Sequence, residues 1–151
     1  MVSARSIRIH GYIVRILVDT NVLSELTKGV PDPQVIQWLR QREQDLVVNP
    51  VILGEIEYGI LSMPPGRRRI SMESWFNRVI NTMGVIDFDK ESAAAWARLL
   101  TKLKKKGLAM PVKDSLIAAT AICHKLELAT RNTVDFKFTG LKLVNPFSDA
   151  K

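Results

Sequence analysis

The sequence predicts an α/β fold in which a mostly parallel sheet of about five strands lies between two layers of helices. Short β-branched and apolar runs alternate along the chain with segments of helical periodicity. No tight-turn signal joins neighbouring strand runs into hairpins. The first strand run is apolar at every position, which is typical of a strand covered on both faces. Such a sheet needs helices on each side, so we expect three layers.

The regular structure begins with the run Ile16–Val18, which predicts a buried first strand. A short helix is expected over 22–27. Asp32 precedes Pro33, and a cap residue followed by proline in the first turn predicts the start of the next helix. Leu46–Val48 repeats the apolar pattern and is interpreted as the second strand.

The same pairing of a cap with proline recurs at 49–50 and predicts a helix that runs to about Leu61. A Pro-Pro-Gly sequence at 64–66 breaks that helix. Apolar residues spaced i, i+3, i+4 and i+7 over 72–83 predict an amphipathic helix. The run 85–88 is interpreted as the third strand.

Asp89 caps a long helix that Gly107 ends. We expect one face of this helix to be buried, and its residues are Ala93, Trp96, Leu100 and Leu103. A last helix is predicted over 114–126, and its middle is so apolar that most of its sides should be covered. The runs 128–130 and 141–144 are the last two strands.

The 151 residues suit a single domain, which we place at 14–147, between an N-terminal extension at 1–13 and a C-terminal tail at 148–151. The extension is a tail, an added strand or the product of a wrongly chosen translation start; it lacks the apolar region of a secretory signal. No apolar run approaches the roughly 20 residues of a membrane-spanning helix. The single cysteine, Cys123, excludes an internal disulfide framework. We therefore expect a cytoplasmic location and no membrane partner.

The net charge is +7, from 22 Lys and Arg against 15 Asp and Glu. A basic domain favours a polyanionic partner, and nucleic acid before a membrane surface. The alternative is that the surplus positive charge only aids solubility. Charge alone does not separate the two interpretations, and only particular side chains can indicate the function.

Polar side chains follow the predicted strands at the same edge of the sheet. Asp19 comes directly after the first strand, and Glu55 stands in an otherwise apolar part of the helix after the second. Asp114 lies in the first turn of the last helix, and Asn132 and Asp135 lie in the loop after the fourth strand. Ligands of open parallel sheets bind beyond the carboxyl ends of the strands. We therefore expect these side chains to lie close together.

Each acid also has a structural explanation, as a helix cap, a surface salt bridge or a favourable first-turn charge. As a group they point to a ligand, because carboxylates a few ångströms apart repel and raise one another's pKa. A hard divalent cation relieves that repulsion, and oxygen-only ligands select Mg²⁺ or Mn²⁺ over zinc or copper. A basic surface around an acidic metal pocket is the charge pattern expected of a nuclease.

Four segments carry a resemblance to a known family. The first reads ILVDTNVLSEL over 16–26, the second GEIEYG over 54–59, the third DSLIAATA over 114–121 and the fourth TRNTVDF over 130–136. In this order and spacing they resemble the motifs of the PIN domain, and most of all those of the VapC and FitB toxins of type II toxin–antitoxin systems. The resemblance covers 14–147, nearly the whole chain.

The resemblance implies an endoribonuclease that depends on Mg²⁺ or Mn²⁺, binds one or two ions and hydrolyses RNA phosphodiester bonds. It also implies a cognate, VapB-like antitoxin that silences the enzyme, and a homodimer or a toxin–antitoxin hetero-oligomer. Asp19, Glu55 and Asp114 match the family's metal-binding acids position by position.

The fourth motif departs from the commonest family pattern. Many members have Asp where this chain has Asn132, and others have the acid at the place of Asp135. We take Asp135 as the fourth catalytic acid and keep Asn132 as the alternative occupant of that position. Arg131, in the same loop, is a candidate contact for RNA phosphate.

Two other function classes are weighed against this one. A phosphatase or phosphoreceiver also places Asp after its first buried strand, but a nucleophile pair Asp-x-Asp would need an acid at Asn21. A non-catalytic, basic nucleic-acid-binding or partner-binding PIN-like module is the second. His10 and His124 fall outside the acidic set, which disfavours a histidine-dependent ribonuclease.

Overall fold

The computed structural model describes residues 15–149 together with two short strands before them. These are β1 (Arg8–Ile9) and β2 (Tyr12–Ile13), which pair antiparallel to each other. The remaining residues of the predicted N-terminal extension, and residues 150 and 151 of the predicted tail, lie outside the described residues.

Five strands form one sheet in which every neighbouring pair is parallel. They are β3 (Ile16–Val18), β4 (Leu46–Val48), β5 (Gly84–Val85), β6 (Glu127–Ala129) and β7 (Leu143–Val144), in the spatial order β5-β4-β3-β6-β7. Every residue of β3 and β4 is buried. Because successive side chains of a strand point to opposite faces, the centre of the sheet is covered on both sides. The predicted α/β fold with a parallel five-stranded sheet is confirmed.

Six α-helices connect and cover these strands within residues 15–149. They are α1 (Thr20–Leu23), α2 (Pro33–Arg42), α3 (Pro50–Leu61), α4 (Arg67–Arg78), α5 (Lys90–Lys105) and α6 (Val112–His124). The predicted caps form: Asp32, Asn49 and Asp89 each accept a hydrogen bond from a backbone N–H in the first turn of α2, α3 and α5. Asp32 and Asn49 are each followed by proline at the first helical position, as expected.

Several predicted elements differ from the structure in their bounds or faces, by two residues or so for the first helix, the last helix and the last two strands, and more clearly in three places. Helix α4 begins before the predicted 72–83 and ends at Arg78, where a 3₁₀ turn takes over. The third strand is shorter than 85–88, since only the N–H of Ile86 continues the ladder, to Val48 O at 2.8 Å, before the chain turns toward the Asp89 cap. The prediction of the buried face of α5 was wrong in part. It consists of Ser92, Ala95, Leu99 and Leu103, because alanines on both sides of this helix leave the spacing ambiguous.

Helix α6 is predicted to be covered on most of its sides, and the structure confirms it. Six of its residues are buried: Ser115 and the five residues 117–121. They pack into the same core as the sheet, and Phe136, only 1% exposed, joins that core from the loop after β6. Among the described residues, no helix is long and apolar enough to span a membrane.

Candidate active site

The strand order reverses direction beside β3. The chain moves outward from β3 through β4 to β5, and then returns to place β6 and β7 on the other side of β3. In a parallel sheet, the crevice beyond the carboxyl ends of the strands at such a reversal is the usual ligand site. Asp19 follows β3 and Thr130 follows β6, so both lie at this crevice. The backbone N–H of Asp19 donates to Ala129 O at 2.9 Å.

Asp19 is buried, and both of its carboxylate oxygens accept hydrogen bonds. Thr130 Oγ1 donates to Oδ2 at 2.9 Å, and the N–H of Thr20 donates to Oδ1 at 2.8 Å. Burial raises the pKa of Asp19 above its ordinary value, the two hydrogen bonds oppose that rise, and the charges of Glu55 and Asp114 add to it. A negative charge at this position is therefore costly, and a cation would relieve the cost.

Glu55 reaches the same region from α3 and meets a cation supplied by the chain. Its Oε2 lies 2.7 Å from Nζ of Lys113, in the first turn of α6. The ion pair with Glu55 raises the pKa of Lys113, and the charges of Asp114 and Asp19 raise it further. The ammonium thus lies in the electrostatic field of all three acids, which we call the acid cluster (Asp19, Glu55 and Asp114).

Asp114 is half-buried in the first turn of α6. Burial raises its pKa, the ammonium of Lys113 lowers it, and the charges of Asp135 and Glu55 raise it. The structure therefore brings Asp19, Glu55 and Asp114 within range of one another's charge, and Asp135 within range of Asp114. The four acids come from four different segments of the chain.

The fourth motif contributes a charged and a neutral side chain, both exposed. Asp135 lies in the 3₁₀ turn Thr133–Phe136, and the buried ring of Phe136 anchors that turn in the core. The backbone N–H of Asn132 donates to Thr130 Oγ1 at 3.1 Å, and its carbonyl accepts from the N–H of Asp135 at 3.0 Å. The backbone of Asn132 is thus held by the Thr130 hydroxyl. Asp135 instead acts through its charge, on Asp114.

Arg131 is engaged with the C-terminal end of the described chain. Its Nη2 lies 2.7 Å from Asp149 Oδ2, and its guanidinium lies over the ring of Phe147, 4.4 Å from the centroid. Its backbone N–H donates to Asn21 Oδ1 at 3.1 Å. A phosphate contact by this side chain would have to replace the exposed ion pair with Asp149.

Sequence reasoning missed three polar groups of the site. Thr130 is the last residue of the predicted strand 128–130 and enters the sequence argument only as part of the fourth motif, although its hydroxyl donates to Asp19. Asn21 was considered only as a position that lacks an acid, yet its Nδ2 lies 3.4 Å from both Asp19 Oδ2 and Thr130 Oγ1. Lys113 directly precedes Asp114, and a lysine next to an acid in a first turn was the available signal for it.

A family model described as the PIN domain matches residues 16–139, which include all five of the candidate acid and amide positions. This chain belongs to the PIN domain family. Its relatives include the VapC ribonuclease Y4jK of Sinorhizobium fredii, 34% identical over 139 residues, which cover 89% of this chain and 99% of the relative. The plasmid stability protein StbB of Pseudomonas syringae pv. tomato is 35% identical over 136 residues, 87% of this chain and 98% of the relative.

Solved PIN-domain structures share the fold. The crystal structure of FitAcB from Neisseria gonorrhoeae matches 87% of this chain and 97% of its own, with a TM-score of 0.81 and 29% sequence identity. The structure of FitAB bound to an IR36 DNA fragment gives a TM-score of 0.79 at 28% identity, over 90% of this chain and 98% of its own. The family resemblance of the four sequence motifs is therefore confirmed.

Proposed function

We propose that this PIN-domain chain is the toxin component of a type II toxin–antitoxin system and acts as a divalent-metal-dependent endoribonuclease. The observation that carries the proposal is the meeting of Asp19, Glu55 and Asp114 where the strand order reverses, with the Lys113 ammonium in their field. The relatives support the class of activity, since one is named a VapC ribonuclease and the Neisseria gonorrhoeae relative is named Toxin FitB.

The donor set of the acid cluster fits Mg²⁺ or Mn²⁺. Its ligand atoms are all carboxylate oxygens, which hard cations prefer. The cluster already attracts a cation, because Lys113 Nζ lies 2.7 Å from Glu55 Oε2. Oxygens of the three acids do not all lie within 4.8 Å of one another, so in this arrangement a single ion with ligands at about 2.1 Å would bind at most two of the acids directly and the third through water. Asp19, Glu55 and Asp114 would hold one or two ions, with Asp135 as the fourth acid.

Residues around the acid cluster hold its carboxylates in place before an ion binds. Thr130 and Thr20 each donate to one oxygen of Asp19, so this carboxylate is held in one orientation before any ion arrives. In the metal-free chain, the ammonium of Lys113 balances part of the negative charge of Glu55 and Asp114. A bound Mg²⁺ or Mn²⁺ supplies Lewis acidity toward the phosphodiester and makes water a nucleophile near neutral pH.

RNA is the substrate that the charge of the chain suits. The net charge of +7 attracts a polyanion, while the acid cluster offers oxygen ligands for the divalent ion that hydrolysis needs. A shallow groove along α5 is lined by four cationic side chains, Arg98, Lys102, Lys105 and Lys106. We propose that this groove and Arg131 contact phosphates of the bound RNA.

The proposed regulator is a cognate, VapB-like antitoxin in the same cytoplasm. A solved structure that covers 87% of this chain at 26% identity is named as a toxin–antitoxin complex from Klebsiella pneumoniae, and the FitAB structure is named as bound to a DNA fragment. An antitoxin segment that offers Arg or Lys to the acid cluster would use the same attraction that Lys113 uses. We also propose that the free toxin forms a homodimer and that the inhibited form is a hetero-oligomer.

The test is cleavage of a single-stranded RNA by the purified full chain with Mg²⁺ or Mn²⁺, and with EDTA. Asp114→Asn should reduce the rate at least about a hundredfold, as expected for loss of a charged metal ligand. The matched control is Asp87→Asn, which changes an exposed aspartate outside the acid cluster and should leave the rate unchanged. Metal-independent binding of RNA without cleavage would instead favour the non-catalytic module.

A second test measures the stability of the folded chain instead of the products of cleavage. Mg²⁺ or Mn²⁺ at a hundredfold excess over its Kd should stabilise the chain by about 2.7 kcal/mol, and Asp114→Ala should remove most of that gain. Asp19→Asn should abolish cleavage while leaving the metal-free stability unchanged or raised, because burial and like charges already oppose the carboxylate charge. A marked loss of metal-free stability would make Asp19 a structural cap and would contradict its assignment as a metal ligand.

A further inference from the structure

A second set of metal-ligating side chains lies at the end of α6 remote from Asp114. Asp89 is the N-cap of α5, Cys123 and His124 are the last two residues of α6, and their ligand atoms all lie within 4.8 Å of one another. Within residues 15–149, no other group of three such side chains meets that distance. We propose that Asp89, Cys123 and His124 form a Zn²⁺ site that fastens the start of α5 to the end of α6; these three residues are called the helix-end site below.

The donor types fit zinc. Thiolate sulfur, imidazole nitrogen and carboxylate oxygen are the three protein ligands that zinc takes, at about 2.0–2.3 Å. In a tetrahedral complex such ligand atoms lie roughly 3.3–3.8 Å from one another. His124 Nε2 already lies 3.7 Å from Asp89 Oδ2, so the carboxylate and the imidazole stand near the required separation. A fourth position is open to water, since all three side chains are partly exposed.

The two oxygens of Asp89 have separate tasks. Oδ1 caps α5 by accepting from the N–H and the hydroxyl of Ser92, each at 2.8 Å. Oδ2 faces His124 and is available to an ion without loss of the cap. The hydrogen bonds from Ser92 also lower the pKa of Asp89, so the carboxylate is charged near neutral pH.

The helix-end site is distinct from the acid cluster in place and in chemistry. Nine residues separate Asp114 from Cys123 along α6, which is about 14 Å at the rise of an α-helix. The acid cluster offers only oxygen, which suits Mg²⁺ or Mn²⁺, whereas the thiol and imidazole select a softer ion. The two sites would therefore take different metals, and an ion at the helix end would not contribute to RNA hydrolysis directly.

The site is tested with the reduced full chain, purified without a histidine tag, and Co²⁺ as a spectroscopic substitute for Zn²⁺. One equivalent of Co²⁺ should produce a thiolate-to-cobalt charge-transfer absorption, and Zn²⁺ should displace it. Cys123→Ser should abolish this absorption, and His124→Gln and Asp89→Asn should each weaken Zn²⁺ affinity at least tenfold. Asp89→Asn keeps an oxygen that can cap α5, and Asp19→Asn serves as the control that leaves the absorption intact.

A thermal melt with and without Zn²⁺ gives the second measurement. Each of the three helix-end variants should melt near the wild-type temperature without metal and should lose the Zn²⁺-induced rise, whereas Asp19→Asn should keep that rise. The proposal is overturned if wild type gives no charge-transfer absorption. It is equally overturned if His124→Gln and Asp89→Asn both bind Zn²⁺ as tightly as wild type, because the thiol would then bind alone. Loss of the Zn²⁺ effect in Asp19→Asn would place the ion in the acid cluster instead.

Discussion

The hydroxyl of Thr130 donates a hydrogen bond of 2.9 Å to Oδ2 of Asp19, a residue 111 positions earlier in the chain. The same Oγ1 accepts from the N–H of Asn132 at 3.1 Å and lies 3.4 Å from Nδ2 of Asn21. One hydroxyl therefore joins the carboxyl ends of the two strands at which the sheet order reverses. It also fixes the start of the loop that carries the fourth motif.

Replacing that hydroxyl by a methyl group should weaken metal binding. Thr130→Val keeps the β-branched shape but leaves Asp19 Oδ2 without its close donor, and a hydrogen bond to a charged group contributes roughly 1.5–3 kcal/mol. The pKa of Asp19 should rise further, and the Mn²⁺ concentration for half-maximal RNA cleavage should rise about tenfold. Thr130→Ser should restore the wild-type midpoint. A wild-type midpoint in Thr130→Val would show that the hydroxyl does not position Asp19.

Lys113 should compete with the metal for the acid cluster. Lys113→Met removes an ammonium that lies 2.7 Å from Glu55, so the metal-free chain should lose stability by up to about 1 kcal/mol. The Mn²⁺ midpoint for thermal stabilisation should fall, because the Lys113 ammonium then no longer competes with the ion for the acids. The matched control is Lys142→Met, which breaks a comparable pair with Glu127 at 2.8 Å. Equal effects of both substitutions on the midpoint would contradict competition at the site.

The parts of this fold that sequence predicts well depend on neighbouring residues. Asp32 with Pro33, and Asn49 with Pro50, define helix starts through a side chain and a fixed dihedral angle within one turn. The buried run Ile16–Val18 requires cover on both faces. Given a parallel sheet, the position of Asp19 at the ligand-binding edge then follows.

The parts that sequence predicts poorly depend on contacts between distant segments. The partner of Asp19 is Thr130, and the partner of Glu55 is Lys113; no local pattern specifies either pair. The sequence pattern leaves His124 outside the acidic set, but folding brings its Nε2 within 3.7 Å of Oδ2 of Asp89, 35 positions earlier. Packing of whole elements against each other determines these pairs, and a single sequence carries no periodic signal for them.

The contact of the C-terminal segment with α2 should make stability depend on pH. Ser148 donates to Asp32 through its hydroxyl, at 2.5 Å, and through its N–H, at 2.8 Å. These bonds lower the pKa of Asp32, so their stabilisation is present above the unfolded value of about 3.9 and is lost as the pH falls through the folded value.

Ser148→Ala should therefore lower Tm near pH 7, and its difference from wild type should shrink as the pH falls below about 4. Ser62→Ala is the control, because the Ser62 hydroxyl donates to a backbone carbonyl, Tyr58 O, that does not titrate in this range. Melting curves over pH measure both differences. If the Tm difference caused by Ser148→Ala did not change with pH, like that expected of Ser62→Ala, the charge of Asp32 would not be involved.

The fourth motif leaves two side chains as alternatives for the last position of the metal site. Asp135 carries a charge that raises the pKa of Asp114, and the buried Phe136 fixes the turn in which it lies. Asn132 is neutral and is held through its backbone to Thr130. Affinity for hard cations depends on the number of charged ligands, so the charged residue should matter more.

Asp135→Asn should therefore raise the Mn²⁺ concentration needed for half-maximal cleavage of a single-stranded RNA several-fold. Asn132→Asp should lower it, because it adds a carboxylate beside the acid cluster and restores the charge that many family members have there. A titration of Mn²⁺ against cleavage rate compares both with wild type and with Asn132→Ala. If Asp135→Asn keeps the wild-type midpoint while Asn132→Ala shifts it strongly, the neutral amide occupies the fourth position and the assignment of Asp135 is wrong.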